Sequence, residues 1–286
     1  MNLTDIRRAL GASRRAMRVR MFGNNQPLSV NLRNRRYLAE AGKVWRAGSA
    51  PSRWAQQLAE QGYVQIPPDP QQAGLYETLK QRADRDFATP ALCTTPIDGA
   101  VRLKDGIGRL PEIVDVFTPD IVQAVESYFR SFFKIYWVQI YRTLPSANPP
   151  EKSFLWHVDN CPQEVVKLMV YLTDTRENTG AFRLKPRPLS KSLIARGFWD
   201  RAQNVRFERE LDDASTTTVF EGPKGTRILF LNWGCVHRAK HPEVSHRDVA
   251  VFNLIPSTIP WDEHARQHRA ELSMRDEDVC ADPARY

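Results

Sequence analysis

Between residues 134 and 256 the chain is cut into short segments rich in β-branched and aromatic residues, and nothing else in it limits the fold as strongly. They are "KIYWVQIYRT" (134–143), "FLWHVD" (154–159), "EVVKLMVYLTD" (164–174), "GAFRLKP" (180–186), "TTTVF" (216–220), "TRILFLNW" (226–233) and "DVAVFNLIP" (248–256). Each has the length and composition of a strand, and turn residues separate them. The "EGPKG" turn (221–225) reads as a hairpin connection between its neighbours, and only 187–211, with a helix around "SKSLIARGFWDRAQ", interrupts the series. Ahead of the strands the pattern is helical. A helix is expected over 74–87, and another from Thr118, followed by Pro119 at the first helical position, to about Phe133. "GYVQIPP" (62–68) reads as a short strand closed by proline. Many short strands with helices gathered in front predict a mainly β fold with flanking helices, a sandwich or jelly roll behind a helical N-terminal region.

Charge divides the chain differently. Residues 1–60 hold 12 Lys and Arg against Asp5, Glu40 and Glu60, which is +9, while the whole chain carries +8. The other residues therefore sum to −1. Leu3, Ile6, Leu10, Met17 and Met21 recur at helical spacing among arginines. Tyr37, Leu38, Ala41, Val44 and Trp45 suggest a second amphipathic helix, and Trp54 with Leu58 a third. The expected organisation is a basic helical region over 1–61 and a jelly-roll domain over 62–286. Basic amphipathic helices suit an anionic membrane surface, or pack on the domain with their arginines solvated. No nucleic-acid motif accompanies the arginines, so no nucleic-acid partner is expected. No run of about 18 apolar residues occurs. The basic start lacks the apolar core of a secretory signal. Cys93, Cys161, Cys235 and Cys280 show no CxxC spacing, which suits a reducing compartment. A cytoplasmic protein is expected, peripheral at the inner face of the membrane if the basic helices dock there.

The chemistry gathers around "WHVDN". Residues i and i+2 of an extended segment share a face, so His157 and Asp159 aim together. His237, at the end of "TRILFLNWGCVH", is the preferred third ligand; His241 and His246 are the alternatives. Two imidazoles and one carboxylate suit Fe(II) with open positions. Arg247, ten residues after His237, enters the next apolar strand, where a buried guanidinium can hold a carboxylate through two hydrogen bonds. Cys161 and Cys235 read as buried small hydrophobes, and His264 with His268 as a solvated helix face. A Ser-His-Asp hydrolase lacks its nucleophile elbow here.

An H-x-D pair, a distal His and an Arg beyond it, in this order over strands, resembles the Fe(II)/2-oxoglutarate dioxygenases. "WHVDN", "KLMVYLTDTRENTGAF" and "GCVHRAKHPEVSHRDVAVFNL" resemble the phytanoyl-CoA dioxygenase-like branch, over roughly 134–256. The resemblance implies a double-stranded β-helix, or jelly roll, with iron on His157, Asp159 and His237. It implies 2-oxoglutarate and O2 as co-substrates, the distal carboxylate of 2-oxoglutarate on Arg247, and a hydroxyl near Ser245 beside it. Gln139 and Tyr141 share a strand face and reach co-substrate or substrate; Lys167 is a co-substrate contact or a residue of the solvated face. Aspartate at 159 favours hydroxylation over halogenation, which needs that position free for halide. Two departures stand out: the His-to-Arg spacing is one shorter than is common in the branch, and "FRLKPRPLSKS" replaces a "PGSH"-like turn after Gly180. Arg183, Lys185, Arg187 and Lys191 of that basic loop, with Asn160, are the expected substrate contacts. The substrate expected is anionic, either a membrane-presented glycolipid sugar such as the Kdo of lipid A-linked core or a soluble small molecule or acyl-CoA. The reading from a different class is a metal-binding scaffold without turnover.

Overall fold

The structure is a computed structural model, and it describes residues 28–45, 52–94, 99–159, 165–199 and 201–268, together with Met17, Met21, Cys161 and Leu272. The expectations placed on Leu3, Ile6, Leu10, Asn160 and Cys280 lie outside the described residues.

Two antiparallel sheets make the core. The larger contains β1 (Tyr63–Ile66), β2 (Ala100–Arg102), β3 (Phe132–Thr143), β4 (Val166–Tyr171), β7 (Arg227–Leu231) and β9 (Arg247–Ser257), in the order β1-β7-β4-β9-β3-β2. The smaller contains β5 (Phe182–Leu184), β6 (Thr218–Phe220) and β8 (His237–Arg238), in the order β6-β5-β8. With its helical front this is the mainly β jelly roll expected from the strand pattern.

The two-residue period of the strands gives the larger sheet two chemically different faces. Register aligns Val138 with Phe252, Phe252 with Leu168, and Leu168 with Leu229, an apolar row buried on the helix side. Burying each such side chain contributes roughly 1.5–3 kcal/mol. Phe117 meets Phe252 edge-on, with ring centroids 5.0 Å apart. Alternate residues form the inner face: Gln139 pairs with Val251 and Val251 with Met169, while Asn253 pairs with Lys167 and Lys167 with Phe230. The sheet is thus apolar towards the helices and mixed towards the smaller sheet.

Helices flank the sheets: most lie over the apolar face, while 187–195 and 208–212 bury Leu193 and Leu211 in a separate cluster with Trp156 and Val236. In chain order they are α1 (Leu28–Val44), α2 (Arg53–Gln61), α3 (Ala73–Phe87), the one-turn α4 (Gly106–Arg109), α5 (Pro119–Phe129), α6 (Arg187–Ala195), α7 (Glu208–Asp212) and α8 (Trp261–Gln267). Leu58 of α2 is fully buried in the main core, so the first 61 residues include core material.

Several expectations are corrected. α5 stops at Phe129, where Arg130 turns left-handed at φ 54°, and Phe132 and Phe133 join β3 instead. The aromatic and β-branched run behind them extends the strand backwards at the expense of the helix. The "EGPKG" turn is not a hairpin, because β6 and β7 lie in different sheets and the turn carries the chain from one to the other. Gly225 holds that crossing at φ 88°, and a Cβ there would sit 2.5 Å from the Tyr76 ring. "FLWHVD" is not a strand: a 3-10 turn covers Lys152–Phe154, and an isolated bridge pairs His157 with His237. His264 is not solvated; it is buried, because Trp261 of α8 stacks on Phe133 and brings that helix onto β3.

Candidate metal centre and its cavity

His157 and His237 arrive from opposite ends of the barrel sequence and are clamped by their backbones. The His157 N–H donates to the His237 carbonyl at 3.0 Å, and the His237 N–H donates back at 2.9 Å. The same bridge places the ring centroids 4.4 Å apart. Each Nδ1 lies against a carbonyl two residues upstream, Leu155 O at 2.8 Å for His157 and Cys235 O at 2.9 Å for His237. A carbonyl only accepts, so each Nδ1 carries the proton and each Nε2 keeps a lone pair. Burial, helped by the neighbouring His237, pushes the His157 pKa down to about 3, and burial pushes that of His237 down to about 4. Both rings are neutral at neutral pH and able to ligate.

Asp159 completes the group. Its Oδ1 lies 3.6 Å from His157 Nε2 and its Oδ2 lies 4.0 Å from His237 Nε2. Its backbone N–H is held by the Asn232 carbonyl at 3.0 Å, and the Asn232 amide donates to Oδ2 at 2.9 Å. Lys167 Nζ donates to the same oxygen at 2.6 Å. Burial works against the carboxylate, but Lys167 and the two histidines outweigh it and hold the group well below the usual carboxylate range. Burial likewise works against the Lys167 charge, and Asp159 more than offsets it, raising the ammonium pKa. Donor atoms of the three residues all lie within 4.8 Å of one another. Two neutral imidazoles and one anionic carboxylate fit a divalent first-row ion such as Fe(II).

His157 and His237 line a cavity of about 320 Å³ between the two sheets, with Asp159 beside them. Gln139, Tyr141 and Lys167 line it, so the alternation of β4 puts Lys167 on the cavity side and Leu168 behind it. Arg247 lines the far end and is 1% exposed. Its Nη1 donates to the Gly180 carbonyl and its Nη2 to Thr143 Oγ1 at 3.3 Å. Its Nε has no partner among the described residues, so the guanidinium retains donor capacity.

Other expected contacts lie elsewhere. Ser245 is exposed and does not line the cavity; the hydroxyl beside Arg247 is that of Thr143, which pairs with it across β3 and β9. The basic loop does not line the cavity either. Arg183 pairs with Glu177. Lys185 is fully buried and donates to Asp213 O, Thr216 Oγ1 and Thr217 Oγ1 at 2.9, 3.2 and 2.7 Å, with burial lowering its pKa to about 8. Arg187 donates to Ala59 O, and Lys191 is exposed on α6. Strand alternation turns Arg183 and Lys185 away from the face that Phe182 gives to the cavity, and Arg187 and Lys191 lie on α6. His241 stacks on Phe154 with centroids 3.6 Å apart, and His246 lies beside Asp248 at 3.6 Å, so neither approaches Asp159 as His237 does. Cys161 and Cys235 are buried and form no disulfide among the described residues. Sequence reasoning missed Asn232, whose signal was a polar residue closing the apolar run "ILFL", and Thr143, which carried none.

The scaffold of this site is a jelly roll. No family model and no curated protein sequence matches the chain. Among solved structures, the non-heme carbocyclase SnoK from nogalamycin biosynthesis is 15% identical with a TM-score of 0.55, over 78% of this chain and 94% of that one. EctD from S. alaskensis with bound Fe is 17% identical with a TM-score of 0.54, over 73% of this chain and 78% of that one. The epimerase SnoN in complex with Fe3+, alpha ketoglutarate and nogalamycin RO is 15% identical with a TM-score of 0.53, over 72% of this chain and 83% of that one. At these identities the likeness is one of fold.

Proposed function

We propose that this protein is an Fe(II)/2-oxoglutarate-dependent oxygenase that hydroxylates a C–H bond of an anionic small molecule. The observation that carries the reading is the convergence of His157, Asp159 and His237 on one side of a cavity whose far end is Arg247. Iron bound there would supply the oxidation of 2-oxoglutarate and substrate by O2. The chain's own residues do the rest. Leu155 and Cys235 carbonyls fix the imidazole tautomers, and Asn232 and Lys167 orient the Asp159 carboxylate. Arg247 holds the distal carboxylate of 2-oxoglutarate, and the apolar walls from Phe182, Phe230 and Val251 limit water. Gln139 and Tyr141 offer polar contacts from the same sheet face. The sequence motifs around these residues resemble those of the phytanoyl-CoA dioxygenase-like branch. Epimerase and carbocyclase chemistry on the same fold makes the hydroxylation outcome part of the proposal.

Anaerobic titration of the metal-free protein with Fe(II), then 2-oxoglutarate, tests the reading. A visible charge-transfer band that saturates with 2-oxoglutarate is expected. Bound iron without such a band would remove the co-substrate from the proposal and bring forward the scaffold without turnover.

A second reading concerns where substrate is met. In α1, Asn31, Asn34 and Ala41 are buried and Tyr37 and Leu38 half-buried against the domain, while Leu28 and Leu32, one helical turn apart, are 53% and 54% exposed. Arg35, Arg36 and Lys43 flank them on the same exposed face. Leucines rimmed by cations suit an anionic bilayer surface, and among the described residues no helix is long and apolar enough to cross it. An acidic membrane glycolipid such as one carrying Kdo would then be within reach, and a soluble anion would meet the same cavity. The full chain is expected to sediment with vesicles containing phosphatidylglycerol, and the L28S/L32S variant to do so several-fold less. Equal sedimentation of both would eliminate this face as the docking surface.

A further inference from the structure

His157 is carried by a segment that has neighbours to pair with on one edge only. On that edge its own backbone groups bond those of His237, and the Ser153 carbonyl accepts from Ala239 N–H at 2.9 Å. Successive residues of an extended chain turn their N–H and C=O groups to opposite edges, so those of Trp156 face away from β8. No strand lies on that side among the described residues. Trp156 is 2% exposed, and buried backbone groups left without partners are costly.

Asn204 closes the open edge. Trp156 N–H donates to Asn204 Oδ1 at 3.2 Å, and Asn204 Nδ2 donates to the Trp156 carbonyl at 2.7 Å. One side-chain amide thus makes the two bonds that a neighbouring strand would make. Asn204 comes from the connection between β5 and β6, where its N–H donates to the Arg201 carbonyl and its carbonyl accepts from Phe207 N–H, both at 3.2 Å. Arg201 adds a second tie, donating from Nε to the Lys152 carbonyl at 2.6 Å. The connection is itself anchored, because Leu193, Phe198, Phe207 and Leu211 share an apolar cluster with Trp156. Lys185 Nζ and the Arg238 guanidinium lie over the Trp156 ring, 5.2 and 4.6 Å from its centroid.

The two bonds matter because peptide units are rigid planes. The plane that carries Trp156 N–H also carries the Leu155 carbonyl, which fixes His157 Nδ1 at 2.8 Å. The plane that carries the Trp156 carbonyl also carries the His157 N–H, which pairs with His237. Asn204 therefore grips both planes that set the imidazole. We propose that Asn204 is a positioning residue of the metal centre, acting through the Trp156 backbone to fix where His157 presents Nε2. The inference rests on the reading of His157 as a ligand and is independent of the reaction that follows.

Calorimetric titration of Fe(II) under nitrogen into the full metal-free chain tests it, with hydrogen exchange over residues 152–158 as a readout that needs no metal. Asn204→Ala should weaken Fe(II) binding about tenfold or more, as is usual for a group that supports a metal ligand, and speed exchange at Trp156 and His157. Asn204→Asp keeps the shape but sets a carboxylate oxygen against the Trp156 carbonyl, so it should not restore the affinity. The same variant carries the test if the alanine variant fails to fold. Phe198→Leu thins the apolar cluster and leaves the amide in place, so it should lower the unfolding temperature and keep wild-type iron affinity. Wild-type affinity in a folded Asn204→Ala variant overturns the proposal. Rescue by Asn204→Asp, or an equal loss in Phe198→Leu, also overturns it, because either assigns Asn204 to packing alone. Fe(II) binding that is weakened in Asn204→Ala, with no 2-oxoglutarate band in wild type, keeps the positioning role and removes the oxygenase reading. A band in wild type with unchanged iron affinity in Asn204→Ala does the reverse.

Discussion

Replacing either His157 or His237 with alanine is expected to abolish 2-oxoglutarate-dependent turnover and the charge-transfer band, and to weaken Fe(II) binding by more than about 100-fold. Loss of a residue that merely orients a ligand already costs roughly 10- to 100-fold in affinity, and these two supply the donor atoms themselves. The substitutions leave the scaffold its local ties, because the His157–His237 bridge is made by backbone groups that alanine retains. Neither ring is charged at neutral pH, so its removal leaves no buried counter-ion behind. Fold is checked by thermal unfolding, and iron by calorimetry under nitrogen. A His237→Ala variant that kept wild-type iron affinity and the band would show that the ligand set is wrong, with His241 and His246 the residues to test next. Asp159 is the poorer first target. Its removal strands the partly buried Lys167 ammonium without its carboxylate, which destabilises the fold as well as removing a ligand.

The second large effect is expected at Arg247. Arg247→Ala should raise the 2-oxoglutarate concentration needed for half-saturation of the band by a factor of roughly 30 to 5,000, the equivalent of about 2–5 kcal/mol for truncating one member of a buried ion pair. Fe(II) affinity in the absence of 2-oxoglutarate should stay near that of wild type, which separates co-substrate recognition from damage to the metal centre. Arg247→Lys should recover only part of the loss, because an ammonium cannot reproduce a two-point contact to a carboxylate. Some stability will also be lost, since Arg247 ties the Gly180 carbonyl to Thr143 across the barrel end. An unchanged 2-oxoglutarate requirement in a folded Arg247→Ala variant would mean that the co-substrate, if bound, sits elsewhere.

The positions of these residues in the chain were readable because they follow local rules. The H-x-D spacing and the order of His237 and Arg247 along apolar strands needed no knowledge of neighbours. The mainly β architecture followed from the same period of two. The errors fell where two local tendencies competed or where a contact was long-range. Phe132 fitted both the helix before it and the strand after it, and the strand prevailed through pairing with Ser257. Lys185 read as a substrate contact on a basic loop, and only the 213–217 segment, folded over it, turned it into a buried donor. His264 looked solvated because the packing of Trp261 on Phe133 involves residues far apart in sequence.

What the sequence by itself determined, then, is the alternation within each strand, the identity and order of the residues able to bind metal and carboxylate, and the concentration of positive charge before residue 60. Local backbone geometry dictates the first, and side-chain chemistry the others. Only the tertiary structure decided which strands are neighbours and hence which side chains share a wall. It brought Asn232 to Asp159, Thr143 to Arg247, and Arg102 with Lys152 to the cavity, while sending Arg183, Lys185 and Ser245 away from it. The physical reason is that strand pairing closes long loops and is selected by the burial of the whole apolar face at once. No single segment carries that information.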